Sequence, residues 1–297
     1  MKRVYLLFVV VAAQLAWLGW NYVERSRELE EAPVIRIACT DYDPRDLFRG
    51  DYVSIQTRQE VPLELAGASL YWGEETCKRV NVYSHWNSET KQDEEYQVIN
   101  PLQPRPVPSG GEKEDGHALE LVPDTVERLA VFWKKGADGL HHVCRVEAPG
   151  VVQDTPAEDE IRALMWGRLS EDYDVVREEE RIVSVKQKTR LGLSFSRQRW
   201  RGMRFYVEEG TGDIHRLWVY GGEDKDIVPS DRIHRTVDIV IREKAGPVPR
   251  MLYLNGVPYP EAVEQIRNRT FKWPDAPATP EPDAADQPVV REIRVVQ

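Results

Sequence analysis

Apolar and polar positions divide the chain into one long uncharged run and many short alternating ones. The long run extends from Val4 to Val23 behind Lys2 and Arg3. As a helix rising ~1.5 Å per residue it spans about 30 Å, the thickness of a bilayer's hydrocarbon core. The basic start places the N-terminus on the cytoplasmic side under the positive-inside rule. Trp17, Trp20 and Tyr22 gather at the far end, where amphipathic rings favour the membrane interface. Val11-Ala12-Ala13 offers a cleavage site, but the apolar pattern continues through Leu15-Ala16-Trp17-Leu18-Gly19-Trp20. An uncleaved signal anchor is therefore the expectation. The first cysteine, Cys39, comes too late for a lipoprotein box.

Glu24 to Glu31 reads as a charged stalk that prolongs the anchor helix until Pro33 interrupts it. From Val34 onward, β-branched and aromatic residues fill short runs separated by Gly, Pro and Asp. The pattern predicts strands at 34–40, 52–58, 70–72, 79–85, 129–134, 141–147, 162–169, 191–196, 203–208, 216–220, 236–242 and 250–254. Residues 159–180 mix helical and strand signals, with Ser170 placed to cap a helix. Residues 259–269, opened by Pro260-Glu261, read as the best helix outside the membrane. Residues 86–116, with Pro101, Pro104, Pro106 and Pro108, read as a long surface loop inserted in this framework.

The expected organisation is a transmembrane anchor over 1–23, a stalk over 24–33 and one β-rich ectodomain over 34–269. A Pro/Ala/Asp-rich tail over 270–297 is expected to be disordered. Its last residues, Val289 to Val296, regain strand propensity and could join a sheet edge. The fold class is mostly β, a single sandwich or open barrel behind one N-terminal transmembrane helix.

Charge narrows the partners. Forty Lys and Arg stand against 50 Asp and Glu in 297 residues, a net charge of −10. An acidic surface disfavours phosphate backbones, and no Lys/Arg stripe with interleaved aromatics runs along the sequence, so nucleic acid is not expected. Three cysteines, Cys39, Cys77 and Cys144, are too few for a disulfide scaffold. They allow at most one internal pair, and buried free thiols are the plainer reading.

The densest chemistry lies between the first two strands. Asp43-Pro44-Arg45-Asp46-Leu47-Phe48-Arg49-Gly50-Asp51-Tyr52 packs three carboxylates and two guanidinium groups into one turn. This run resembles the opening motif of the GDYXXLXY family, membrane-anchored bacterial proteins named after it. Ile55 stands for the family's Leu and Thr57 for its final Tyr. Arg204-Phe205-Tyr206-Val207-Glu208-Glu209-Gly210-Thr211-Gly212 resembles a later segment of the family, and Met251-Leu252-Tyr253-Leu254-Asn255-Gly256 its closing strand and turn. The resemblance implies a membrane-anchored protein and no established activity.

Arg45 and Arg49 present planar forks that match carboxylates. Two uses are open: Asp43, Asp46 and Asp51 pair with them to hold the turn, or the turn binds a partner. Tyr52, Tyr206, Glu209 and Gly210 join Asp43, Arg45, Asp46, Arg49, Gly50 and Asp51 as candidate residues. Arg45 or Arg49 is expected within reach of Glu209.

His142 and Cys144 share a strand face and His141 adjoins them, but no second Cys/His pair completes a zinc set. No metal or cofactor is expected. No Walker loop, G-x-S-x-G elbow or dinucleotide glycine pattern occurs. Gly50-Asp51-Tyr52-Val53 is similar to a hairpin of signal-peptidase-like folds, but no Ser-Met-x-Pro precedes it. The expectation is a non-catalytic accessory module in the bacterial inner membrane, its C-terminal domain in the periplasm, its partners the bilayer and a polytopic membrane protein. The alternative is an envelope hydrolase that uses Asp and Glu carboxylates.

Overall fold

The computed structural model describes residues 2–42, 52–78, 81–88, 90–98, 101–107, 118–150, 155–178, 181–197, 202–207, 234–242, 246–268 and 270–271. The side chains of residues 2–8, 41, 42, 81, 82, 97, 172 and 181 lie outside that description.

Helix α1, Lys2–Glu31, runs unbroken for 30 residues. Pro33, which has no N–H to continue the ladder, ends it and leads at once into the first strand. Among the described residues no helix is long and apolar enough to cross a membrane. The uncharged run begins at Val4, within the part of α1 whose side chains lie outside the description.

Sixteen strands follow: β1 (Val34–Ala38), β2 (Thr40–Tyr42), β3 (Tyr52–Gln56), β4 (Gln59–Pro62), β5 (Leu70–Tyr71), β6 (Asn81–Asn87), β7 (Gln92–Val98), β8 (Leu119–Glu120), β9 (Glu127–Lys135), β10 (His141–Glu147), β11 (Glu160–Glu178), β12 (Arg181–Ser194), β13 (Met203–Tyr206), β14 (Arg235–Val240), β15 (Val248–Leu254) and β16 (Val257–Pro258). A 3-10 turn at Leu63–Leu65, a short helix α2 (Glu74–Lys78) and helix α3 (Tyr259–Arg267) complete the described elements.

The fold is mostly β, with a nearly closed, barrel-like sheet. Its largest part is the five-stranded order β10-β9-β11-β12-β4, and a second part is β13-β3-β2. The third is β1-β14-β15-β16. The chain itself joins the first two through β3 and β4. The circuit then continues where β13 lies against β15 and β1 against β10. Period-two alternation supplies the lining: Ile35 and Ile37 point in while Arg36 points out, and Val237, Ile239, Leu252 and Leu254 pack behind them. Leu129, Val131 and Trp133 of β9 meet Met165, Leu191 and Leu193 across the same interior. Each such side chain contributes about 1.5–3 kcal/mol by leaving water. Helix α3 lays Tyr259, Ala262 and Val263 on this core and leaves Glu261 and Glu264 exposed.

Two expectations are corrected, and the mixed signals of residues 159–180 are resolved in favour of strand: β11 pairs with β12 along Trp166–Glu178 and with β9 along Glu160–Gly167. Ser170 therefore caps nothing and stands mid-strand opposite Arg190. Residues 86–116 are not one loop, because β6 and β7 form a hairpin in which Tyr83 faces Tyr96 and Asn87 faces Gln92. The expected strand at 216–220, the tail beyond 271 and the edge-joining segment 289–296 lie outside the described residues.

Candidate functional site

Of the ten residues singled out by sequence, Tyr52 and Tyr206 are described. Asp43, Arg45, Asp46, Arg49, Gly50, Asp51, Glu209 and Gly210 lie outside the described residues. The two tyrosines are direct antiparallel partners, Tyr52 opposite Tyr206, in the pairing of β3 with β13. Their rings are tilted at a centroid distance of 6.2 Å, and the Arg204 guanidinium sits 5.0 Å over the Tyr52 ring. Tyr52 is buried while Tyr206 is 60% exposed. The chain enters β3 and leaves β13 at the same end of this pair, so the two sequence blocks are brought together at their flanks. The expected contact of Arg45 or Arg49 with Glu209 lies outside the described residues.

The main buried polar network was not anticipated. Glu147 is 5% exposed and accepts a hydrogen bond from the Ser69 hydroxyl. That hydroxyl in turn accepts the backbone N–H of Ala148 at 2.8 Å. Gly67 makes the arrangement possible, since a Cβ there would fall inside the Glu147 carboxylate. Arg145 reaches Glu147 Oε1 at 3.9 Å, Glu160 Oε2 at 3.0 Å and the Thr155 carbonyl at 3.1 Å, with its guanidinium 3.5 Å over the Phe132 ring. The hydrogen bond from Arg145 holds the Glu160 carboxyl below its ordinary range. Burial, with Glu160 nearby, pushes the Cys144 thiol up. A thiol kept protonated is a poor nucleophile. Every charge here faces an opposite charge or a donor, which is the arrangement of a structural clamp.

A second cluster sits at the seam between β1 and β10. Arg36 donates to Asp238 Oδ1 at 2.6 Å and Oδ2 at 2.9 Å, and Tyr253 donates to the same carboxylate at 2.8 Å. The guanidinium also stacks 4.0 Å from the Tyr253 ring. Burial raises the Asp238 carboxyl, but the Arg36 and Tyr253 hydrogen bonds outweigh it and hold the group low. The backbone N–H of Arg36 donates to Nδ1 of His141 at 3.0 Å and so ties β1 to β10. Burial, chiefly, keeps the His141 imidazole below its ordinary range.

The proposed kinship of His142 and Cys144 does not hold. A register shift between Val143 and Arg145 breaks the alternation. His142 approaches Asp138 Oδ2 at 2.9 Å, while Cys144 donates to the Phe132 carbonyl and Glu160. No group of three or more His, Cys, Asp or Glu capable of holding a metal ion occurs among the described residues. All three cysteines are free and half-buried rather than fully buried.

No family model matches the chain, and no curated protein or solved structure matches it either. The functional reading therefore rests on the residues themselves. Sequence reading missed the Arg145 network because its members come from four separate segments. The local hint was Glu147, a carboxylate that ends β10 directly after the apolar Val146.

Proposed function

We propose that this protein is a single-pass membrane protein of a bacterial envelope, anchored by α1, whose β domain serves a membrane partner without catalysing a reaction. The observation that carries the reading is the state of α1. Val9, Leu15, Trp17, Leu18, Trp20 and Tyr22 are all exposed along it, Trp20 to 72%, on a helix that runs straight into the first strand of the barrel. Exposed aromatic and aliphatic side chains in such number call for an apolar cover, and a bilayer supplies it. Lys2 and Arg3 orient the helix with the barrel outside the cytoplasm. The resemblance of residues 43–52 to the GDYXXLXY opening motif supports the same placement.

The non-catalytic part rests on the state of the carboxylates. Among the described residues, those with displaced titration, Asp138, Asp159, Glu160 and Asp238 among them, are displaced downward. A general acid for glycoside chemistry needs the opposite shift.

Topology is tested with alkaline phosphatase fused after Glu31, expected active, and with retention of the full chain in carbonate-washed membranes. A fusion that is inactive, with a chain released by carbonate, would overturn the anchor. Turnover of an envelope saccharide or peptide by the purified protein would overturn the non-catalytic reading.

A further inference from the structure

The outward surface of the five-stranded sheet carries two arginines, Arg168 and Arg190, that no carboxylate among the described residues neutralises. We infer that Arg168, Arg190 and the Ser170 hydroxyl form a binding site for a phosphate-bearing ligand. Ser170 stands opposite Arg190 and Arg168 opposite Gly192 in the pairing of β11 with β12. Directly opposed residues of an antiparallel pair share a face. All four are thus on the outward side, while Leu169, Leu191 and Leu193 are buried on the inward one.

Gly192, without a side chain, lets Ser170, Arg168 and Arg58 approach one another over it. A Cβ there would meet the Ser170 Cβ at 3.6 Å, the Arg168 carbonyl at 3.7 Å and Arg58 Nε at 3.7 Å, all ordinary contacts. Arg58 is already paired with Glu60, which stands opposite Gly192 on β4. Arg168 and Arg190 have no such partner among the described residues. Ser170 is 5% exposed, and its Oγ has no hydrogen-bond partner among the described residues. A buried hydroxyl is ordinarily satisfied, so one left without a described partner, opposite Arg190 and two residues from Arg168, points to an acceptor supplied by a ligand.

A tetrahedral oxoanion suits this set of donors. It offers several acceptor oxygens at once, matching two planar forks and one hydroxyl donor. One row along the same face, Trp166 lies under Arg128 at 5.8 Å and Arg197 at 5.4 Å. A flat apolar ring flanked by cations suits the organic part of a phosphate ester. On a chain of net charge −10 this cationic face is not a consequence of composition. Two sources supply the same chemistry: a phosphodiester of a lipid headgroup, or a free phosphate. The site does not rest on the membrane anchor.

The test is calorimetric titration of the full-length protein with inorganic phosphate and, separately, with glycerophosphoglycerol as the soluble headgroup diester. Saturable binding of at least one is expected, weakened about tenfold or more in the Arg168→Gln/Arg190→Gln double variant. Ser170→Ala is expected to weaken binding in the same direction while leaving the unliganded melting temperature in place. Binding of phosphate alone assigns a free phosphate source, and binding of the diester assigns a headgroup. Absence of saturable binding for both probes, or undiminished binding in the double variant, overturns the site. If the double variant does not fold, undiminished binding in Ser170→Ala overturns it instead.

Discussion

Ser69 and Ser170 are both buried, at 7% and 5% exposure, and both have arginines nearby, yet their hydroxyls are used in opposite ways. The Ser69 hydroxyl is spent twice, donating to Glu147 and accepting from Ala148. That of Ser170 has no partner. The arginines around them divide likewise. Arg145 is held by Glu160, Glu147, the Thr155 carbonyl and the Phe132 ring, whereas Arg168 and Arg190 lack a carboxylate among the described residues. A satisfied polar group inside a protein belongs to the fold, because removing one partner strands the other. An unsatisfied one costs stability without return, and its persistence marks a surface kept for something else.

The comparison is sharpest where most is at stake. Arg145→Met should strand the buried Glu147 and the half-buried Glu160 and lower stability by about 3–5 kcal/mol, read by denaturant unfolding. A loss near zero would show that Arg145 is no clamp. Ser69→Ala should cost about 1–3 kcal/mol, since the Glu147 carboxylate and the Ala148 N–H both lose a partner. The same assay decides it.

His141 is the intermediate case, a satisfied acceptor only while unprotonated. Its folded pKa is depressed by burial, so the unfolded chain takes up the proton first as pH falls. The stability it contributes is present above about pH 6.5 and is lost as pH drops below that value. His141→Asn, whose Oδ1 takes the place of Nδ1, should flatten the melting-temperature profile between about pH 7 and pH 5. An unchanged slope would remove His141 from that role. Glu160 and Asp238 act lower, their contribution fading as pH falls through the depressed carboxyl range. The smallest effect belongs to Ser170→Ala, expected within about 0.5 kcal/mol of the parent or slightly stabilising, because no hydrogen bond is removed. A cost as large as that of Ser69→Ala would erase the distinction between the two serines.

How much of this was legible depended on how far apart the interacting residues lie in the chain. β10 matches its expected bounds and β1, β14 and β15 nearly do, because apolar residues recur there in short runs bounded by turn residues. Helix α3 announced itself through Pro260 at its first turn. The long β11 strand was legible only over 162–169, since Gly167 and Ser170 break the apolar pattern where its inward face passes Leu129 and its outward face turns charged. Of the β6–β7 hairpin only the first strand was legible, at 79–85, because the prolines that belong to the connection after β7 made the rest look like a loop. The Arg168–Arg190 face was invisible for a stronger reason. No stripe of basic residues exists along the sequence, and strand pairing alone puts Arg58, Arg168 and Arg190 side by side. Of the site expected between 43 and 52, Tyr52 lies against Tyr206, as the resemblance of the two blocks led one to look for.

One pairing sets the order in which the molecule can be made. β1 emerges in synthesis before every other described strand, and its hydrogen-bond partner is β14, with Val34 opposite Val240. Until the ribosome has delivered the chain beyond Val240, β1 has an open edge that exposes Ile35 and Ile37. Closure of so long a loop makes this sheet a late and slow step of folding. A chain ending before Arg235 therefore keeps a sticky strand tethered next to α1 and is directed toward aggregation instead of a smaller barrel.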